Sequence, residues 1–211
     1  MAIPHSRTNE EILDIAIAYV DEHGLEALTL RSLGEQLGMH HTAVYRYYAN
    51  KADIVTAMLD HLIGQALDRV PANQESPREE LLELARSLRS MVREHPAVMQ
   101  AIPQITGTAP NALQSVVRTT TVFGDLGLSG EALVQWTRIY ESYVVGASLY
   151  DFAGAPHHLS IRSARERATG IDVVAVAYRD DAAVDHVNET AFDRGLTILM
   201  QQAQAEARSA E

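Results

Sequence analysis

The sequence predicts an all-α protein, with an N-terminal three-helix domain holding a helix-turn-helix and a larger C-terminal helical domain behind it. Three observations carry this. Apolar residues recur at helical spacing through most of the chain, N-capping residues and glycines punctuate those runs, and no alternating stretch finds a visible partner strand. Roughly nine helices are implied by that punctuation.

Thr8 and Glu11 have the spacing of a capping box, and Ile12, Ile15, Ala16, Tyr19 and Val20 then form one apolar stripe, closed by Gly24. Leu25 and Leu28 are expected to fold the connection onto the core, and Thr29 is the N-cap of a second helix, Leu30 to Leu37. Gly38 suits a sharp left-handed corner, and a third helix is expected from about His41 to Tyr48. Leu33, Leu37, Met39, Val44 and Tyr47 fall where these two helices must pack, with Gly34 small enough to let them cross closely. His41, Thr42, Tyr45 and Arg46 are left facing outward, the hydrogen-bonding set that a recognition helix offers to a major groove.

Asn50 caps a fourth helix whose wide stripe of Ile54, Val55, Met58, Leu59, Leu62, Ile63 and Ala66 can pack on two sides and would bridge two domains. The polar break Pro71 to Pro77 follows, and Ser76 with Pro77 starts a fifth helix. We divide the chain into a helix-turn-helix domain, 1–50, and a larger helical domain, 51–211, the helix from 51 to about 70 linking them. After a short apolar segment, Ala97 to Ile102, helices are expected from about Asn111 to Leu126, from Ser129 to about Phe152, and through Val184, Phe192, Leu196 and Ala203 to about Ala207. Residues 154–183 read as loop and polar helix; GIDVVAVAY fits strand or helix by pattern and is taken as helix or loop.

Composition fits a globular chain: 46% apolar, 21% charged, and glycine and proline scattered singly. With no cysteine there is neither a disulfide nor a thiolate metal site. The first residues lack the layout of a signal peptide and no apolar run approaches the roughly 18 residues of a membrane span, so a cytoplasmic protein with no membrane partner is expected. The net charge of −11 looks adverse for a partner that is a polyanion. Local charge matters more. Between Thr29 and Lys51, Arg31, Arg46 and Lys51 face one acid, Glu35, and Lys51 is the only lysine in the chain. So thin a basic face favours a dimer that doubles the contacts.

Residues 8–62, above all LTLRSLGEQLGMHHTAVYRYYANKADIVTAM, closely resemble the DNA-binding domain of the TetR family of bacterial transcriptional repressors. Leu37-Gly38, the run Val44-Tyr45-Arg46-Tyr47-Tyr48, and Asn50-Lys51 carry the likeness together. It implies a homodimer, a helical effector-binding domain, and binding to a double-stranded operator relieved by a small ligand. It also implies roles. Thr29, Arg31, Tyr47 and Lys51 should meet phosphates, and His41, Thr42, Tyr45 and Arg46 base edges, with Arg46 able to hold guanine bidentately and Tyr45 equally able to touch phosphate. Tyr48 is more a packing residue. Members often carry Ser or Thr where His40 stands and Gly where Thr42 stands, so which of His40, His41 and Thr42 reads bases is left open.

In the C-terminal part, Met91, Met99, Phe123, Trp136, Tyr140 and Tyr143 either line a pocket for a small, mostly apolar effector or form core. Gly146, Ala147 and Ser148, with the stripe Phe192, Leu196 and Leu199, form a dimer face or monomer core; we favour the dimer face. No histidine pair has the i, i+4 spacing of two metal ligands on one helix, and no phosphate loop or nucleophilic set is recognisable, so no metal, cofactor or enzymatic role is expected. The rival reading is a small-molecule-binding helical protein or enzyme that has lost DNA binding.

Overall fold

A computed structural model describes residues 7–72, 76–102, 109–150, 168–171 and 180–209, without the side chains of His41, Tyr150 and Asp181. Every regular element among them is helical. In chain order they are α1 (Asn9–His23), a 3-10 turn (Leu25–Ala27), α2 (Leu30–Leu37), α3 (His41–Val44), α4 (Lys51–Asp68), α5 (Pro77–Glu94), α6 (Pro96–Met99), α7 (Pro110–Asp125), α8 (Gly130–Tyr150) and α9 (Asp181–Ser209). The all-α expectation holds, and most of the expected element boundaries agree within a residue or two. GIDVVAVAY lies outside the described residues apart from its first two positions, as does most of 154–183.

Two compact units emerge. The first comprises residues 1–68 and 95–115, the second 69–94 and 116–211. Contacts thus group α4 and α6 with the N-terminal helices.

In the first unit, Ile12, Ala16 and Val20 of α1 are fully buried with Leu33 of α2 and with Ile54, Met58 and Leu59 of α4. Thr8 starts α1 with the predicted capping box, its hydroxyl accepting from Glu11 N while Glu11 Oε2 accepts from Thr8 N at 2.9 Å. Two histidines reinforce the packing from other helices. His61 of α4 lies 3.0 Å from Asp14 of α1, and His95, just before α6, lies 2.6 Å from Asp21. Asp60 of α4 closes the start of α7, its Oδ1 accepting from the backbone of Asn111 at 2.8 Å and of Ala112 at 2.9 Å, where a helix has amides to satisfy.

The second unit is built on one apolar cluster. Leu81 and Ala85 of α5, Phe123 of α7, Tyr140 and Val144 of α8, and Phe192, Leu196, Met200 and Ala203 of α9 meet in it. Inside it Tyr140 Oη donates to Leu81 O at 2.7 Å, and elsewhere in the unit Arg118 Nε donates to the buried Glu80 at Oε1, 2.7 Å away. Phe192 and Leu196, assigned by sequence to a dimer face, are core residues of the single chain, because Gly195 between them lets Tyr143 settle against α9. A Cβ at Gly195 would overlap the Tyr143 hydroxyl, which donates to Phe192 O at 3.0 Å.

Candidate nucleic-acid interface

The corner between α2 and α3 is set by hydrogen bonds made within a few residues of each other. Thr29 takes extended backbone angles and its hydroxyl accepts from Ser32 N at 2.9 Å, while Ser32 Oγ accepts from Thr29 N at 2.9 Å. A serine here does the reciprocal work that glutamate does in the usual box. At the other end Gly38 has φ 64, a left-handed conformation, with Gly38 N–H reaching Glu35 O at 3.2 Å and Met39 N–H reaching Gly34 O at 2.9 Å. That paired closure is a Schellman motif, and it fixes the direction in which the chain leaves α2.

His40 is the N-cap of α3. Its Nδ1 accepts from Thr42 N at 3.4 Å and lies 2.8 Å from the Thr42 hydroxyl. The two polar groups at the head of the helix are therefore engaged with each other. The side chain of His41 lies outside the described residues.

The α3 helix is shorter than the sequence predicts, ending at Val44 rather than near Tyr48. Beyond it the turns tighten: Arg46 N–H reaches Ala43 O at 3.2 Å and Tyr47 N–H reaches Val44 O at 2.9 Å. Tyr48 supplies the physical reason. Its ring is buried at 6% exposure and its hydroxyl donates to Asn9 Oδ1 of α1 at 2.6 Å, which pulls the chain inward. Burial, with Tyr47 next to it, pushes the Tyr48 phenol up to about 12, so it remains a donor at neutral pH. The packing role expected of Tyr48 is the one it has.

Outward of this anchor stand Tyr45 at 54% and Tyr47 at 38% exposure, with exposed Arg46 between them and exposed Thr42 one turn before. Two aromatic rings left in solvent beside a cation form a surface suited to a partner's polar edges. Of the packing residues predicted for the corner, Leu33, Gly34, Leu37 and Val44 are buried and Met39 half-buried, whereas Tyr47 faces out.

The remaining basic groups are partly committed. Arg31 Nε pairs with Glu35 Oε1 at 3.2 Å on the exposed face of α2. Lys51 Nζ donates to Leu25 O at 2.7 Å, drawing the head of α4 against the 3-10 turn. An ammonium has three donors, so this bond leaves two. Asn50 caps α4 as expected, its Oδ1 accepting from Asp53 N at 3.0 Å.

In the second unit, Phe123 and Tyr140 are buried in the apolar cluster in an edge-to-face pair. Trp136 and Tyr143 pack against it, Trp136 Nε1 donating to Glu206 Oε2 at 2.8 Å. Met91 is buried on α5, while Met99 is fully buried in the first unit. None of these six lines the open cleft of about 500 Å³ that the second unit contains. Its walls are Arg86, Arg89, Ser90, Arg93 and Glu94 of α5 and Glu189 and Asp193 of α9, a charged lining in place of the apolar and aromatic one expected. The spacing of Arg86, Arg89 and Arg93 at i, i+3 and i+7 was the available signal. Among the described residues no cluster of histidines and carboxylates is arranged to hold a metal ion, and no helix is long and apolar enough to cross a membrane.

Comparison with known proteins gives concordant likenesses for the two parts. Residues 12–58 match the family described as bacterial regulatory proteins, tetR family, and residues 70–201 match that described as tetracyclin repressor-like, C-terminal domain. The HTH-type transcriptional repressor DrrR1 of Streptomyces coeruleorubidus is 26% identical over 141 residues, covering 67% of this chain and 52% of the relative. The tetracycline repressor protein class A from transposon 1721, in Escherichia coli, is 25% identical over 196 residues, 90% of this chain and 87% of that one. The chain thus spans about half the length of DrrR1. In fold it is similar to apo ActR from Streptomyces coelicolor, with a TM-score of 0.77, 21% identity and full coverage of both chains. ActR has also been solved in complex with actinorhodin.

Proposed function

This chain belongs to the TetR family of bacterial regulatory proteins, and from that premise we propose that it is a homodimeric, ligand-responsive DNA-binding transcriptional repressor acting in the cytoplasm. The observation that carries the reading is the exposed edge Thr42, Tyr45, Arg46 and Tyr47, presented from a corner that Gly38 and two local caps hold in one conformation. Arg46 is assigned to a guanine edge, because a guanidinium matches its two acceptors. Thr42 and Tyr45 accompany it at the bases, with His40 and His41 at the head of the helix. Thr29, Arg31, Tyr47 and Lys51 are assigned to phosphates, where amides at the α2 N-terminus add to them.

A reader with so few cations binds weakly as a single copy. Two copies about 34 to 36 Å apart would enter successive major grooves of a pseudo-palindrome. We assign DNA binding to residues 1–50 and effector binding with dimerisation to 51–211, without a catalytic role. ActR is bound to actinorhodin in one of its solved forms, which supports a small-molecule effector here too. Of the apolar set, Met91, Phe123, Trp136, Tyr140 and Tyr143, all in the second unit, are the proposed wall for a mostly apolar one; Met99, buried in the first unit, is not part of it. Such an effector lowers operator affinity by its differential affinity for the two states of the dimer, and by no more.

The test is retention of fragments of the protein's own genome by the purified chain, followed by sequencing. Enrichment of a two-fold-symmetric site is expected. Retention of no fragment at low salt would sink the reading.

A further inference from the structure

The cleft between α5 and α9 has walls of largely opposite sign, the one acid on the α5 side, Glu94, being held by both Nη atoms of Arg69. Arg86, Arg89 and Arg93 lie along one face of α5, and Glu189 and Asp193 stand opposite on α9. The walls hold each other: Arg86 Nε donates to Asp193 at 3.0 Å and Arg93 Nη1 to Glu189 at 3.1 Å. Arg93 also reaches Asp185 at 3.4 Å. Deeper in, Arg89 is 6% exposed and its guanidinium lies 4.4 Å over the ring of Phe192, which stacks on Tyr143. Burial first, and Arg93 second, press against the charge of Arg89.

We infer that this cleft binds a compact molecule carrying both a carboxylate and a basic nitrogen. Exchange of partners decides the class. A purely acidic ligand would take an arginine from Glu189 or Asp193 and leave that carboxylate beside a second anion, while a purely basic one would strand the arginines. Asp193 and Glu189 are half exposed, so a stranded carboxylate is penalised mainly by the second anion beside it, whereas a stranded Arg93, 25% exposed, is penalised by lost solvation as well. A zwitterion offers a new partner to each sign, one to the cations of α5 and one to the carboxylates of α9. Its carboxylate takes the α5 arginines, whose fork geometry suits a bidentate grip, and its nitrogen takes the α9 carboxylates. The volume of about 500 Å³ is ample for a small molecule. Selection against singly charged molecules is built into the lining.

This site deepens the regulator reading, and only its effect on DNA rests on that reading. Arg93 and Glu94 form the last turn of α5, and the next residue, His95, is the one held by Asp21 of α1. A ligand that draws Arg93 from Glu189 therefore acts two residues along the chain from an anchor of the reader.

Calorimetric titration of the DNA-free protein with ε-aminocaproate, caproate and hexylamine tests the assignment. The zwitterion is expected to bind at least about ten-fold more tightly than either analogue. Arg93→Gln and Asp193→Asn should each weaken it about ten-fold or more, while Arg78→Gln, which breaks a pair with Glu79 away from the cleft, should not. No heat from ε-aminocaproate up to ~10 mM, equal binding of all three, or undiminished binding by both variants overturns the inference. Circular dichroism checks that each variant folds, and Glu189→Gln replaces one that does not. Release of a retained genomic fragment by ε-aminocaproate is read separately. Binding of the zwitterion by a protein that retains no DNA would support the cleft and overturn the regulator reading.

Discussion

The α2–α3 corner and the α5–α9 wall use polar side chains in contrasting ways. At the corner, Thr29 bonds Ser32, His40 bonds Thr42, and Gly38 closes its own helix, all within five residues of chain. At the wall, Arg86 and Arg93 of α5 reach carboxylates of α9 that are 107 and 96 positions away in the chain. Local bonds shape a small rigid edge and leave Tyr45 and Arg46 available to a partner. Long-range pairs hold two helices together and leave a cleft between them. Recognition at the corner thus depends on what the fold leaves exposed, whereas at the wall it depends on what a ligand can replace.

The largest expected effect belongs to the core behind the wall. Phe123→Ala removes a fully buried ring that meets Tyr140 edge to face, and should cost about 3 to 5 kcal/mol in chemical denaturation. Trp136, the only tryptophan, packs against the same cluster, so its fluorescence follows the loss. A cost below about 1 kcal/mol would mean that the cluster repacks, and would weaken the contrast between a fixed wall and a ligand-replaceable lining.

Arg46→Ala should act on the other region and on another quantity. We expect about 1 to 3 kcal/mol of lost operator affinity, with preference relaxed at one base position. Thermal stability should stay unchanged, because Arg46 is exposed. A fall in stability as large as the fall in affinity would show that Arg46 shapes the corner rather than reads DNA.

Thr29→Ala tests the claim that the corner is set locally. The loss of one reciprocal cap should cost about 1 kcal/mol of stability. Thr29→Ser keeps the hydroxyl and should restore most of it.

The same contrast explains what the amino-acid sequence discloses. Thr8 with Glu11, Thr29 and Gly38 are legible because a cap or a left-handed corner is decided by the residues beside it. The early end of α3 is not, because it depends on Tyr48 finding Asn9 some forty positions earlier. Phe192 and Leu196 carry the right helical spacing, yet spacing cannot say whether an apolar face meets another chain or its own. The cleft is hidden for a related reason. Its arginines are visible on one face of α5, but the carboxylates that turn a basic face into a two-signed cleft come from a distant helix.

Lys51 carries the smallest expected effect and the finest test of the comparison. Its ammonium is bound to Leu25 O, a local structural duty, while its remaining donors are assigned to phosphate. The two duties leave different signatures. Loss of a phosphate contact weakens all sequences alike and reduces the dependence of log affinity on log salt by about 1, since one fewer counterion is released. Loss of the bond to Leu25 shifts the head of α4, and with it the edge that follows α3, so base preference would change while the salt slope stayed put. Lys51→Ala is expected to give the first pattern. The second would place Lys51 with Thr29 and Gly38 among the groups that shape the corner.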